Sequence, residues 1–202
     1  MQVAAEIKRK KIVILGTGGT IAGTAAQAGD NLGYTAAQLG IDQLVAALPA
    51  LADSRHELLS EQVAQVDSKD MDFGIWRVLA QRVAHWLAHE EVQGIVITHG
   101  TDTLEETAFF LQAVLDPAKP VVLTCAMRPA TALAPDGPQN MLDAVAVAAH
   151  PGARGVVVVC AGVIHTAFDV QKVHTYRLNA ISSGDAGALG FVEEDRLRLL
   201  RN

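Results

Sequence analysis

The sequence has few aromatic residues, few charged residues and only two cysteines, and each shortage excludes a class of protein. Aromatic side chains make up 4% of the 202 residues and charged side chains 19%, whereas 50% of the chain is hydrophobic. A disordered chain has the opposite balance, because it buries too little apolar surface to offset the entropy lost on folding. The core must therefore consist of Val, Ile, Leu and Ala, which suits buried parallel strands covered by alanine-rich helices.

Side chains that bind metals are also scarce or poorly spaced. Cys125 and Cys160 form neither a disulfide framework nor a CxxC pair, and each ends an apolar run, so we expect two reduced core residues. The seven histidines are scattered, and His85 and His89, four residues apart, have no further ligands beside them. We therefore expect neither a metal nor a cofactor.

Basic charge and long apolar runs are missing as well. The net charge of −6 argues against nucleic acid or an anionic membrane as a partner. No apolar run approaches the length of a membrane span, and the polar, basic residues 6–11 do not resemble a signal peptide. We expect a cytoplasmic protein. A periplasmic location would require a leader that has been removed.

Short apolar runs alternate with helical patterns along the chain. Continuous Val/Ile-rich runs predict strands covered on both faces, at residues 12–15, 93–98, 120–125 and 155–160, with weaker candidates at 57–66 and 188–192. Apolar residues at helical spacing predict helices over residues 41–48, 72–89, 102–115 and 140–150. This β–α alternation predicts one α/β domain with a mostly parallel sheet.

A glycine-rich turn, GTGGTIAG at residues 16–23, follows the first predicted strand. A phosphate-binding loop needs lysine where Thr24 stands, and a dinucleotide fingerprint needs glycine where Ile21 stands, so both nucleotide interpretations fail. Two interpretations remain. The glycines allow close packing of strand and helix, or their N–H groups polarise a carbonyl while Thr17 or Thr20 attacks it.

Three further polar segments follow predicted strands. In THGTDT, at 98–103, the Thr-Asp pair either caps a helix or binds a ligand at the sheet edge. In VDSKDM, at 66–71, Ser68 or Asp70 either caps a helix, or the open N–H groups there hold a carboxylate. In DVQKVH, at 169–174, Lys172 taken alone is an ordinary surface charge.

Together these segments resemble the bacterial-type L-asparaginase/glutaminase-asparaginase family. The matching stretches occur in the family's order over nearly the whole chain: TGGTIAG (17–23), DSKDM (67–71), ITHGTDTLEETAFFL (97–111), AMRP (126–129), DGPQN (136–140) and DVQKVHT (169–175). The pair TGGTIAG and THGTDT is highly specific. The resemblance implies a three-layer, flavodoxin-like sheet with helices on both faces.

The resemblance also implies roles for individual residues. Thr20 corresponds to the nucleophile, Tyr34 to the tyrosine that closes over it, and Thr101, Asp102 and Lys172 to a second catalytic group facing the same substrate. The implied substrate-binding residues are Gly19, Ser68, Lys69, Thr101 and Asp102, of which Ser68 and Asp102 hold the α-carboxylate and the α-amine. Lys69 stands where relatives often have glutamine or another polar residue.

The implied reaction is hydrolysis of L-asparagine, with L-glutamine as a possible second substrate, to L-aspartate and ammonia through an acyl-enzyme. Whether Lys172 activates Thr101 directly or only orders it stays open. Two alternatives also remain: a domain that binds aspartate or asparagine without catalysis, and a glutamine-deamidating subunit of an amidotransferase.

The sequence departs from the family in two ways. Phe168 stands where relatives commonly have arginine. Family members also have a smaller C-terminal domain, so we expect residues 1–192 to form the N-terminal domain and residues 193–202 to begin the linker. We therefore expect a fragment with reduced or no activity, and a homo-oligomer, the family tetramer, for the full-length protein.

Overall fold

The computed structural model describes residues 9–52 and 54–201, so the beginning of the basic stretch at 6–11 lies outside the described residues. The five α-helices of this part are α1 (Ile41–Ala46), α2 (Pro49–Ala52), α3 (Phe73–Leu87), α4 (Leu104–Leu115) and α5 (Gly137–Ala149). The strands are β1 (Lys11–Gly18), β2 (Thr24–Ala25), β3 (Tyr34–Thr35), β4 (Glu57–Val66), β5 (Val92–Thr98), β6 (Val121–Thr124), β7 (Val156–Cys160), β8 (Val163–Thr166), β9 (Gln171–Lys172), β10 (Ile181–Ser182), β11 (Gly190–Glu193) and β12 (Arg196–Leu199).

Five parallel strands form one half of the central sheet, in the spatial order β4-β1-β5-β6-β7. Ranked by their appearance in the chain, these strands lie in the order 2-1-3-4-5, which is the flavodoxin-like arrangement. The order reverses between β1 and β5, and ligands of such sheets bind beyond the carboxyl ends of the strands at this point. The Thr20 turn follows β1 and the Thr101 loop follows β5.

The other half of the sheet is antiparallel, in the order β7-β8-β11-β12. The sequence patterns predict β11 but neither β8 nor β12. Both missed strands follow two-residue turns with positive φ, at Ala161-Gly162 and at Glu194-Asp195. Such turns normally carry Asn-Gly or Asp-Gly, so these two lack the usual hairpin signal. β12 lies within residues 193–202, for which the sequence predicts a linker.

Helices cover both faces of the sheet, which confirms the predicted three layers. On one face α1 and α5 pack against β1, β5, β6 and β7 through Ile41, Leu44, Met141 and Ala144. On the other face α3 and α4 pack through Leu79, Val83, Leu104 and Leu111. Helix α5 begins three residues before the predicted start at 140. Its first turn contains Pro138, where the missing N–H needs no partner.

The two cysteines are free and buried, as predicted. The Sγ atoms of Cys125 and Cys160 lie 3.7 Å apart, beyond the carboxyl end of β6 and at the last residue of β7. Within residues 9–52 and 54–201, no helix is long and apolar enough to cross a membrane. The same residues contain no group of three or more His, Cys, Asp or Glu side chains arranged to hold a metal ion.

Candidate active site

A polar cleft of about 310 Å³ opens at the carboxyl edge of the parallel strands, where the order of the sheet reverses. Six of the residues singled out in the sequence line it: Thr20, Tyr34, Ser68, Thr101, Asp102 and Lys172. They come from the loops after β1, β4 and β5 and from the small strands β3 and β9. The remaining lining residues are Asn31, Leu32, Asp67, Met127, Thr175 and Tyr176.

Thr20 opens a short 3-10 turn directly after β1, and its side chain is buried. Its Oγ1 lies 2.8 Å from the Oη of Tyr34, so the two hydroxyl groups share a hydrogen bond. Tyr34 belongs to the β2–β3 hairpin that follows the turn. A Cβ at Gly23 would come within 2.9 Å of the tyrosine ring, so glycine is needed there for Tyr34 to reach Thr20.

Thr101, Asp102 and Lys172 form a second hydrogen-bonded group. The ammonium of Lys172 donates to Thr101 Oγ1 over 2.8 Å and to Asp102 Oδ1 over 2.6 Å. The side chain of Lys172 is 21% exposed, so it is not the solvated surface charge that its sequence neighbourhood alone indicates. Because Thr101 Oγ1 accepts from the ammonium, the hydroxyl hydrogen of Thr101 is free to point elsewhere.

The Thr-Asp pair does not cap α4. Thr103, the residue before the helix, makes no side-chain capping bond, and its hydroxyl donates instead to the carbonyl of Ser68 over 2.8 Å. The backbone N–H of Asp102 donates to Ser68 Oγ over 3.0 Å. These two bonds join the loop after β5 to the loop after β4. The cap of the short turn at Ser68–Asp70 is Asp67, whose carboxylate accepts from Lys69 N.

The three loops meet so closely that two glycines are required. Gly19 has φ +78°, and a Cβ on it would overlap the backbone of Gly100. A Cβ on Gly100 would in turn overlap the side chain of Ser68. The N–H of Gly19 donates to the carbonyl of Val66 over 2.9 Å. This N–H therefore holds the loop against β4, whereas the sequence interpretation assigned the glycine N–H groups to a substrate carbonyl.

Lys69 lies outside the group that lines the cleft. Its ammonium contacts the carboxylates of Asp67 and Asp70 at 2.8 and 3.1 Å, and its side chain is 60% exposed. The hydrogen bond that Lys69 donates to the Asp67 carboxylate is the main reason that the pKa of Lys69 lies above its usual value. The structure thus brings the predicted site residues together in the cleft except Lys69 and Gly19, and Gly19 packs against Gly100 instead.

Sequence reasoning missed His99, which is fully buried behind the Thr101 loop. Its Nδ1 lies 2.7 Å from the carbonyl of Gly100, and its Nε2 lies 3.0 Å from Thr107 Oγ1. A carbonyl only accepts, so Nδ1 carries the proton and Nε2 accepts from the Thr107 hydroxyl. That hydroxyl also accepts from Trp76 Nε1 over 2.8 Å. The available sequence signal was the position of His99 directly after the apolar run 93–98.

Burial lowers the pKa of His99 to about 4, so the ring is neutral at physiological pH. A neutral ring keeps the bonds to Gly100 and Thr107 in one arrangement, and this fixes the direction of the Gly100 peptide. His99 thereby holds the loop that presents Thr101 and Asp102.

Phe168, which departs from the family pattern, is largely exposed and packs edge-on against Phe109 at a ring distance of 6.0 Å. The neighbouring Asp169 is held by other residues. Its Oδ2 accepts from Thr166 Oγ1 over 2.8 Å and from Arg201 Nη2 over 3.2 Å. The segment leading to Lys172 is therefore anchored without an arginine at position 168.

Comparisons with known proteins identify relatives of this chain. A family model described as Asparaginase, N-terminal matches residues 11–202. A glutaminase-asparaginase of Pseudomonas fluorescens biotype A is 42% identical over 197 residues, covering 96% of this chain and 54% of that relative. An L-asparaginase 2 of Bacillus subtilis (strain 168) is 41% identical over 186 residues, covering 91% of this chain and 49% of that relative.

A solved structure shows the same fold. The probable cytoplasmic L-asparaginase from Campylobacter jejuni matches with a TM-score of 0.92 and 42% sequence identity, over 96% of this chain and 59% of that chain. The present chain spans about half the length of the curated relatives it matches. The family model matches residues 11–202, which is nearly the whole chain. The chain therefore belongs to the asparaginase family, in the region that its N-terminal model describes.

Proposed function

We propose that the protein hydrolyses the side-chain amide of L-asparagine, with Thr20 as the nucleophile. The observation that carries the proposal is the pair of hydroxyl groups in one polar cleft, each with its own partner. Thr20 is bonded to Tyr34, and Thr101 is bonded to Lys172. A threonine hydroxyl attacks an amide only when a neighbouring group takes its proton, and Tyr34 is such a neighbour for Thr20. The Lys172 ammonium instead donates to Thr101 and orients its hydroxyl.

In the proposed reaction, Thr20 Oγ1 attacks the amide carbon and passes its proton to Tyr34 Oη, while Tyr34 gives its own proton to the leaving nitrogen. The C–N bond breaks, ammonia leaves, and an ester on Thr20 remains. A water molecule then attacks the ester, which releases L-aspartate and restores the hydroxyl of Thr20. The hydrogen bond of 2.8 Å between Thr20 and Tyr34 supports this direct proton path.

The charges around the cleft suit the two ends of an amino acid. The Asp102 side chain is 49% exposed, so one face of its carboxylate is open to an incoming α-ammonium group. Ser68 Oγ accepts from Asp102 N, which leaves the Ser68 hydroxyl hydrogen free to donate to the α-carboxylate. Ser68 and Asp102 lie in adjacent loops, so they can bind the carboxylate and the ammonium of one substrate molecule.

We propose L-glutamine as a second substrate. The printed names of two relatives differ on this point, since one is a glutaminase-asparaginase and the other an L-asparaginase. L-Glutamine has one methylene more than L-asparagine, and such a difference changes the discrimination between two substrates by only roughly 1–3 kcal/mol. Comparing kcat/KM for L-asparagine and L-glutamine tests this part of the proposal.

The test of the main proposal is ammonia release from L-asparagine by the protein and its variants. We expect Thr20→Ala and Thr101→Val each to lower kcat by roughly 10³-fold, because each removes a member of a hydrogen-bonded catalytic group. Thr35→Val is the matched control, since Thr35 is an exposed neighbour of Tyr34 in the same hairpin. Undiminished ammonia release by both Thr20→Ala and Thr101→Val would overturn the proposal.

A further inference from the structure

The strand that carries Lys172 is short and has few backbone bonds of its own. β9 has two residues and, among the residues that the structure describes, pairs only with β10, through Lys172 with Ile181 and Gln171 with Ser182. The far end of this hairpin is fixed elsewhere, by a contact of 2.8 Å between Ser183 Oγ and His165 Nδ1. The local strand pairing therefore does not by itself determine where the Lys172 ammonium lies relative to Thr101.

A carboxylate from α4 supplies the missing connection. Glu105 Oε2 accepts a hydrogen bond from the backbone N–H of Lys172 over 2.5 Å, across 67 positions of sequence. Glu105 lies in the first turn of α4, where the helix dipole favours a negative charge. A charged acceptor makes this bond stronger than a bond between neutral groups.

The position of Glu105 in the chain gives this bond its significance. Thr101 and Asp102 precede α4 by a few residues, so the start of this helix fixes both side chains through the chain itself. Glu105 connects the third member of the group, Lys172, to the same helix start. The positions of all three side chains of the Lys172–Thr101–Asp102 group are thereby fixed relative to the start of α4.

Glu106 is a matched neighbour without such a contact. It lies beside Glu105 in the same first turn and is exposed. Within the part of the chain that the structure describes, no hydrogen bond or ion pair of its side chain is found. The two glutamates therefore share charge, helix position and sequence neighbourhood, and differ in the bond to Lys172.

We propose that Glu105 is a positioning residue that holds the backbone of Lys172, so that the ammonium meets Thr101 and Asp102. The proposal deepens the proposed function and rests on it, because the Lys172 group acts in that reaction. Glu105 touches neither substrate nor the reacting atoms. Its effect reaches the reaction through the placement of Lys172.

The kinetic test compares Glu105→Ala, Glu105→Gln and Glu106→Ala. We expect Glu105→Ala to lower kcat for L-asparagine by roughly 10- to 100-fold with little change in KM, since a misplaced catalytic group costs about this much. Glu105→Gln retains an amide oxygen that accepts from Lys172 N–H, so we expect it to recover most of kcat. Equal kcat values for Glu105→Ala and Glu106→Ala would overturn the proposal.

A second measurement does not depend on activity. The amide of Lys172 is protected from hydrogen exchange by its bond to Glu105, so Glu105→Ala should speed exchange there while Glu106→Ala leaves it unchanged. Unchanged exchange at Lys172 in Glu105→Ala would contradict the proposal. If the unaltered protein released no ammonia and Glu105→Ala still sped this exchange, the proposed function would fail while the role of Glu105 in holding Lys172 would stand.

Discussion

At the scale of single residues, the candidate site consists of pairs in which one side chain orients another. Thr20 is paired with Tyr34, Thr101 with Lys172, and His99 with Gly100. Thr20 and Thr101 could be chosen from the sequence because each follows a predicted strand. The roles of Tyr34 and Lys172 came only from the family resemblance, and His99 was missed. Which partner each threonine would meet could not be chosen from the residues alone, because Tyr34 and Lys172 reach the cleft from small hairpins whose placement depends on long-range contacts.

The Thr20–Tyr34 bond leads to a prediction for Tyr34→Phe. Removing the phenol oxygen takes away the only partner found for the Thr20 hydroxyl among the described residues, so we expect kcat for L-asparagine to fall by roughly 10²-fold or more. The ring itself still packs over Gly23, so we expect the free energy of unfolding to change by less than about 1 kcal/mol. Ammonia-release kinetics and denaturant titration measure the two effects.

Tyr176→Phe is the control for that prediction. Tyr176 also lines the cleft, but it is about half exposed, and the hydrogen bond found for it uses its backbone N–H. A loss of kcat in Tyr176→Phe equal to the loss in Tyr34→Phe would show that the phenol bonded to Thr20 has no special role.

At the scale of elements, the loops after β1, β4 and β5 act as one packed unit. Gly19, Gly100 and Ser68 meet there, and no side chain fits between them. We expect Gly100→Ala to destabilise the protein by roughly 1–3 kcal/mol, because the added Cβ overlaps Ser68 and forces the loops apart. It should also lower kcat, since Asp102 N is bonded to Ser68 Oγ.

Gly40→Ala provides the comparison for Gly100→Ala. A Cβ at Gly40 would have its nearest neighbour at 3.7 Å, an ordinary contact distance. We expect Gly40→Ala to lower the free energy of unfolding by at most about 1 kcal/mol, because it replaces glycine at the N-cap of α1. Equal destabilisation by the two substitutions would contradict the argument that the three loops are packed as one unit.

The elements also show what a single sequence reveals and what it does not. Four of the five parallel strands and the longer helices were predictable, because a strand buried on both faces is a continuous apolar run and a covering helix has a clear stripe. The edge strand β4 is only partly buried, so its sequence pattern was a weaker signal. β8 and β12 were not predictable, because Ala161-Gly162 and Glu194-Asp195 turn the chain without the residues that mark a hairpin. The place of Lys172 was not predictable from spacing either, since Glu105 holds it from 67 residues away.

At the scale of the whole molecule, two buried histidines couple folding to pH. Burial lowers the pKa of both His99 and His165 to about 4, from a usual value of 6.5. His99 is bonded on both ring nitrogens, and His165 Nε2 is buried with no hydrogen-bond partner in the described part of the chain. A proton added to either ring would be buried without suitable solvation.

The sign of the effect follows from proton uptake. Below pH 6.5 the unfolded chain protonates both rings, whereas the folded protein does not until the pH nears 4. The unfolded state therefore binds more protons in this range, and stability falls as the pH falls through it. Each histidine lowers the free energy of unfolding by roughly 2 kcal/mol at about pH 5, and this loss is absent above about pH 7.

Denaturant titrations between about pH 7.5 and pH 5 measure this loss, which should reach roughly 4 kcal/mol from the two histidines together. His165→Gln keeps an amide that can bond Ser183 and removes one titrating ring, so its stability should fall by roughly 2 kcal/mol less over the same range. His85→Gln, at an exposed position of α3, should follow the unaltered protein. A His165→Gln profile parallel to that of the unaltered protein would contradict the coupling, because the buried ring would then make no difference to proton uptake on unfolding.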